Sequence, residues 1–326
     1  MHEVALIGAG RIGKIHAANV AANPRLRLAS VTDPTEAGEA LARRHGVETR
    51  TVEQVLADPA IRGVIIASST DTHLDYSLAA ARAGKAVFCE KPLDQDLRRA
   101  EDAAGQFDAI GAPILLAFNR RFDVNFAALQ ARLAAGEVGA LETLHIISHD
   151  PSPPPADYVR TSGGIFKDMV IHDFDMARWL LGEPVVEVFS AASVLVDPAI
   201  GAAGDFDTAK TILKTVGGRI CVISSSRRSG YGYDQRIEAF GSSGMIRAQN
   251  QLETTVETWT SGGASADRFQ NFFLDRYMAA YAREMDHFAD VLGGAAPLID
   301  HRDGVAALVL AEAAARSVAE GAVIRL

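Results

Sequence analysis

The chain has 326 residues, of which 48% are hydrophobic and 22% charged, enough for two domains that each bury a core. A formal charge of -9 speaks against a nucleic-acid or anionic-membrane surface, because Lys and Arg run no longer than pairs such as Arg43-Arg44, Arg120-Arg121 and Arg227-Arg228. No apolar run approaches the roughly 20 residues of a bilayer span, the opening MHEVALIGAG lacks the basic lead of a signal peptide, and Cys89 and Cys221 have neither a CxxC partner nor zinc-ligand spacing. The expectation is a cytoplasmic protein with reduced thiols and no metal.

Short β-rich runs at 4–7, 28–32, 63–67, 86–89 and 113–118 alternate with helical periodicity at 12–22, 36–45, 52–56, 72–83 and 94–107. Such alternation predicts a parallel, doubly wound sheet with right-handed crossovers and ligands at the carboxyl ends of its strands. Gly8-Ala9-Gly10-Arg11-Ile12-Gly13 lies between the first strand and the first helix. In that context Gly8 allows the tight turn, Gly10 lets the backbone approach a pyrophosphate, and Gly13 lets helix pack on strand. Asp33 follows Gly13 by 20 residues, at the end of the second strand, where a carboxylate can accept from an adenosine ribose diol. Together these predict a Rossmann domain over 1–119 that binds NAD.

Two further segments sit at strand ends. In Ser69-Thr70-Asp71-Thr72-His73 either Thr70 and His73 contact the dinucleotide, or Asp71 or Thr72 caps the next helix. Glu90-Lys91-Pro92 places a lysine on the cofactor rim, where it can stabilise negative charge on a hydroxyl or carbonyl oxygen; the alternative is a surface lysine before a turn proline.

After about Asn119 the pattern changes. Helices at 122–134 and 168–181 flank strands at 141–148, 185–196, 207–216, 219–226, 235–241, 245–249 and 252–259, and two helices at 272–292 and 302–320 close the chain. Gly217-Gly218 and the turn at 241–244 are hairpin signals, so residues 120–326 read as an α+β domain with a large, mostly antiparallel open sheet. Helices would cover one face, and Val194, Leu195, Ile212 and Ile223 would leave apolar groups on the other that need a partner. The segment DPSPPPAD at 150–157 reads as a rigid loop, neither strand nor helix.

The stretch SGGIFKDMVIHDFDMARW at 162–179 is the most informative. On one helix, Asp168, His172 and Asp175 fall at i, i+4 and i+7, within roughly 60° of one another, while Val170, Phe174, Ala177 and Leu181 form an apolar stripe. The row is either an acid, base, acid constellation or a solvated polar face with Asp168 at the positive helix end.

The order GAGRIG, Asp33, TDTH, FCEKPL, FNRRFD and GGIFKDMVIHDFDMARWL resembles the Gfo/Idh/MocA family of NAD(P)-dependent dehydrogenases over essentially the whole chain. HDPSPPPADY and Tyr231-Gly232-Tyr233-Asp234 are most similar to the inositol dehydrogenases of that family. The resemblance implies Lys91, Asp168 and His172 as the catalytic set. Asp175 and one tyrosine of the pair, preferably Tyr233, would hold substrate hydroxyls beside them. Gly8, Gly10, Arg11, Ile12, Gly13, Asp33, Thr70, His73, Glu90, Asn119 and Arg120 would line the cofactor. Arg11 departs from the small or apolar residue of many relatives, and the resemblance also implies a cis Lys91-Pro92 bond.

The activity implied is oxidation of a cyclic polyol, foremost myo-inositol to 2-keto-myo-inositol, by an NAD-dependent homo-oligomer, a tetramer before a dimer. Another inositol or an aldose as substrate, and a regulatory member without chemistry, are the alternatives.

Overall fold

Six parallel strands form the first sheet of this computed structural model, which describes residues 1–326, the side chain of Ala156 excepted. In chain order the elements are β1 (His2–Ile7), α1 (Arg11–Ala22), β2 (Leu26–Thr32), α2 (Glu36–His45), β3 (Glu48–Thr49), α3 (Val52–Ala57), β4 (Ile61–Ile66), α4 (His73–Arg82), β5 (Ala86–Glu90), α5 (Leu97–Ile110) and β6 (Ile114–Ala117). The strand order β3-β2-β1-β4-β5-β6 reverses between β1 and β4, the switch point at which such sheets bind ligands. Strands β1, β4, β5 and β6 are near-continuous buried runs of Val, Ile, Leu, Phe and Ala, as a sheet covered on both faces requires. The two-residue β3 has too little sequence to show a period.

The second part runs α6 (Val124–Ala134), β7 (Leu141–His149), α7 (Ala156–Val159), α8 (Gly164–Asp168), α9 (Ile171–Leu181), β8 (Val185–Ser193), α10 (Pro198–Ala202), β9 (Thr208–Thr215), β10 (Ile220–Ser226), β11 (Asp234–Gly241), β12 (Gly244–Ala248), β13 (Glu257–Thr260), β14 (Gly263–Ala266), α11 (Phe273–Leu292), α12 (His301–Glu320) and β15 (Ile324–Arg325). Seven of these strands make one sheet, in the order β12-β11-β7-β10-β9-β8-β15. All its pairs are antiparallel except β7 with β10. Ile237, Ile146, Ile223, Thr211 and Ser190 lie side by side across five strands, and all are buried. Within this buried row the hydroxyls of Ser190 and Thr211 meet at 2.7 Å, and the Ser190 amide donates to Ser317 Oγ of α12, so its polar groups are paired.

The chain divides into two compact units, Met1–Phe122 with Ala279–Leu308 and Asp123–Met278 with Val309–Leu326. Residues 279–308 therefore join the first unit, although they come after the whole second sheet: Gly63 lies under the Phe288 ring, Leu116 donates its amide to Ile299 O, and Arg121 pairs with Asp303 at 3.0 Å.

Several expectations need correction. The helix read at 168–181 is two, α8 and α9, separated at Met169 and Val170. The strand read at 252–259 is a single bridge from Leu252 to Phe269, followed by the separate hairpin β13-β14. Ile223 faces the covered side of the sheet and is fully buried, and Val194 and Leu195 lie past the end of β8. The proline-rich loop ends two residues short of its expected limit, since Ala156 and Asp157 begin a one-turn helix.

Candidate active site

In the first unit the GAGRIG turn is held by backbone proximity. A Cβ on Gly8, whose φ is +101°, would stand 2.3 Å from Ala67 O, and one on Gly13 would stand 2.1 Å from Gly8 O. Only glycine fits either position. Gly10 differs: a Cβ there would meet nothing within 4 Å, so open space faces the N-terminus of α1, and Gly10 offers its amides no capping side chain. Arg11 is exposed and Ile12 half-buried beside it.

Asp33 closes the turn from the next strand. Its Oδ2 accepts the Ala9 amide at 2.8 Å, and its Oδ1 accepts the Thr35 amide and hydroxyl at 2.9 and 2.5 Å. Partial burial works against its charge, but these bonds, led by the Thr35 hydroxyl, hold its carboxyl below the usual carboxylate range. An anionic carboxylate thus stands at the carboxyl end of β2.

The remaining first-unit candidates gather at neighbouring strand ends. Lys91 follows β5, is half-buried, and precedes Pro92 through a cis bond. His73 is buried, with Nδ1 2.8 Å from Pro92 O and Nε2 3.2 Å from Ser68 O. Its ring joins the loop after β5 to the loop after β4. Neither Asp71 nor Thr72 caps α4 through a side chain; Thr72 instead bonds Ser68 Oγ at 2.7 Å and Ser69 O at 2.7 Å, and Thr70 lies half-buried in the same turn. Asn119 and Arg120 are buried in the short turn after β6.

In the second unit Asp168 ends α8, His172 is half-buried in the first turn of α9, and Asp175 is buried one turn further on. The expected apolar stripe of Val170, Phe174, Ala177 and Leu181 is fully buried. Both oxygens of Asp168 are engaged, Oδ1 by the Tyr158 hydroxyl at 2.9 Å and Oδ2 by the Arg227 guanidinium at 3.4 Å. Tyr231 and Tyr233 part company: Tyr231 is exposed and donates to Asp234 Oδ2 at 2.8 Å, whereas Tyr233 is buried edge-on against Tyr277. Asp234 also takes Arg236 at 2.7 Å and Asn250 at 2.6 Å, and these bonds overcome its burial to hold it ionised. His149 stands 3.9 Å from Asp234 with Nε2 3.0 Å from Ser224 Oγ, and burial pulls its pKa down.

Comparison with known proteins sorts these features. A model described as the oxidoreductase family, NAD-binding Rossmann fold, matches residues 2–112, and one described as the GFO/IDH/MocA C-terminal domain matches residues 126–247. The chain belongs to the GFO/IDH/MocA family. It is 48% identical over 317 residues to an inositol 2-dehydrogenase of Rhizobium meliloti strain 1021, covering 97% of this chain and 96% of that one. The crystal structure of a myo-inositol dehydrogenase from Corynebacterium glutamicum matches with a TM-score of 0.96 at 42% identity, covering 100% of this chain and 99% of that one. A scyllo-inositol dehydrogenase from Lactobacillus casei, solved with bound NAD(H) and scyllo-inositol, matches with a TM-score of 0.92 at 25% identity, covering 100% and 99%. The open cradle at Gly10, the uncapped N-terminus of α1 and the ionised Asp33 are what an NAD-binding member of the family needs.

Sequence reasoning missed His16, Glu284, Tyr158 and Arg227. His16, Glu284 and Arg227 lie in none of the quoted motifs, and the burial that makes them notable depends on residues far away in the chain; Tyr158 is exposed at the end of HDPSPPPADY, and its bond to Asp168 is not visible in that segment. His16 is fully buried on α1, with Nε2 2.7 Å from Glu90 Oε1. Glu284 of α11 is also fully buried, and no hydrogen bond reaches either of its oxygens. Burial, with the Glu90 charge adding to it, pushes the Glu284 carboxyl well above the usual carboxylate range. Cys89, buried next to Glu90, has its thiol pushed up to about 12, again by burial.

Because Glu284 titrates higher in the folded chain than in the unfolded one, the fold loses stability as pH rises from the unfolded value, about 4.3, toward the folded one. Glu284→Gln is neutral throughout and removes that loss. Its Tm advantage over the native chain should therefore grow between pH 5 and pH 8, as read by thermal unfolding. An equal difference at both pH values would show that Glu284 is ionised in the fold.

Proposed function

We propose that this chain is an NAD-dependent inositol 2-dehydrogenase that oxidises one ring hydroxyl of myo-inositol to the ketone. The observation that carries the reading is near-full-length likeness to enzymes bearing that name, in a chain that has Lys91, Asp168 and His172 at the family's motif positions. The amides at the start of α1 and Asp33 would hold the dinucleotide, with Glu90, Asn119 and Arg120 along the same strand ends. NAD, when bound, supplies the hydride acceptor.

The chain's own residues handle the proton and the charge. His172 takes the hydroxyl proton as general base, for which an imidazole with an unperturbed pKa of roughly 6.5 is suited near neutral pH. Lys91 stabilises the alkoxide as it develops, and Asp168 orients the polar partners around it. Asp175 and Tyr233 are assigned to substrate hydroxyls. Two buried thiols, Cys89 and Cys221, support a cytoplasmic setting.

A panel of inositols and aldoses assayed by NADH formation tests the substrate, with NAD and NADP compared by kcat/KM. Myo-inositol with NAD should lead, because Asp33 would repel a 2′-phosphate and no Lys or Arg immediately follows it in DPTEAG. A preference for NADP would remove Asp33 from its role, and an aldose as best substrate would replace the inositol.

His172→Ala should lower kcat by roughly 10²-fold or more while NADH binding, followed by fluorescence titration, persists. Near-normal turnover would return Asp168, His172 and Asp175 to an ordinary polar face.

The uncovered sheet face exposes Phe189, Ile212, Ile220, Phe240 and Met245, with Ile212 42% accessible. Burying such a face against further copies supports a homo-oligomer, a tetramer before a dimer. Light scattering should return a multiple of 34.7 kDa, and a particle of 34.7 kDa at working concentration would refute it.

A further inference from the structure

Arg227, just past the end of β10, is one of the largest fully buried side chains in the protein, 1% accessible, and a buried guanidinium needs compensating charge. It has two carboxylates. Nη1 and Nη2 each lie 3.4 Å from Asp168 Oδ2, and Nη2 lies 3.5 Å from Asp205 Oδ2. The two acids occupy opposite ends of one short element. Asp205 Oδ1 accepts the Ile165 amide at 2.9 Å, which satisfies a donor of the first turn of α8, and Asp168 is the last residue of α8.

Backbone contacts fix the geometry from outside. Gly164 has a φ of +79°, and a Cβ there would stand 2.9 Å from Asp205 Oδ1, so the approach of Asp205 requires glycine. The Arg227 amide donates to Asp207 O at 2.8 Å, which ties the strand end to the segment that carries Asp205. Asp207 in turn accepts from the amides of Leu195, Val196 and Asp197 at 2.8 to 3.0 Å.

A five-residue helix has little stability of its own and cannot hold its last side chain to a fraction of an ångström. We propose that Arg227 is a positioning residue for Asp168, its guanidinium joining the carboxylate at the end of α8 to the one that caps the start, so that helix and side chain are set as one piece. The proposal rests on the place given to Asp168 in the reaction. A fork-shaped cation spans two carboxylates where an ammonium serves one, so lysine should substitute only in part.

The test uses the full-length enzyme with its best polyol, comparing Arg227→Met, Arg227→Lys, Asp168→Asn and the Arg227→Met/Asp168→Asn pair. Arg227→Met should lower kcat by roughly 10²-fold, the scale of a misplaced catalytic group, with the NADH dissociation constant within about twofold of native. Arg227→Lys should recover part of the loss. The pair should cost little more than Asp168→Asn alone, because both changes disable one device. If the effects of Arg227→Met and Asp168→Asn multiply, or if Arg227→Met keeps near-native kcat while Asp168→Asn loses it, the proposal fails and Asp168 keeps its role. If Asp168→Asn itself turns over normally, the assignment of Asp168 fails instead. Should Arg227→Met not fold, Arg227→Lys carries the decision: lowered kcat with native NADH affinity supports positioning, and native kcat overturns it.

Discussion

The close approach of backbone to backbone at the first strand-to-helix turn is the constraint on which the first unit depends. A Cβ on Gly13 would fall 2.1 Å from Gly8 O, and one on Gly8 would fall 2.3 Å from Ala67 O, so β1, the end of β4 and the start of α1 meet where no side chain fits. That contact brings the N-terminus of α1 to the sheet's carboxyl edge and the Ala9 amide within 2.8 Å of Asp33. Amide donors and a carboxylate then flank one opening. Their arrangement follows from two missing methyl groups as much as from any charged residue.

How much of this was legible depended on whether the signal was local. α2 matches its expected bounds because Thr35, Gly46 and the intervening periodicity all lie within the segment. Period-two alternation relates residues within one strand, but it put Ile212 of β9 and Ile223 of β10 on the same face, and they lie on opposite ones. It could not show which face the helices cover, and Ile223, level with buried Thr211, proved to lie on the covered side. The break between α8 and α9 was invisible for a sharper reason. Met169 and Val170 both return their amides to Ile165 O, Val170 across a widened five-residue step, and the apolar stripe stays buried on both sides of it, while the carboxylate that supports the start of α8 comes from Asp205, 40 residues on. The candidate residues themselves were legible as types at motif positions. Their partners, Tyr158, Arg227 and His16, were not.

Ionisable groups in dry surroundings are accommodated in two ways. Arg227 sits between Asp168 and Asp205, and Asp234 collects Arg236, Asn250 and Tyr231, so each of these two charges is met by opposite charge or by donors. Glu284 meets neither, and it lies near Glu90, whose other neighbour is His16. A carboxyl in that setting is pushed toward its neutral form by its surroundings rather than toward the ionised form by a partner. Ion pairing therefore organises the polar row around Asp168, and desolvation governs the interior beside Lys91.

The course of the chain has a consequence for its synthesis. Residues 279–308 complete the first unit: Phe288 fills the space above Gly63, Ile299 O takes the Leu116 amide, and His301 and Arg302 both reach Asp108. They leave the ribosome after all of the second unit except its last 18 residues, 309–326. The nucleotide-binding sheet, although translated before them, stands with one flank bare until residues 279–308 emerge. A nascent chain stalled before residue 279 would expose the apolar surface at Gly63 and Phe88 to chaperones and to aggregation.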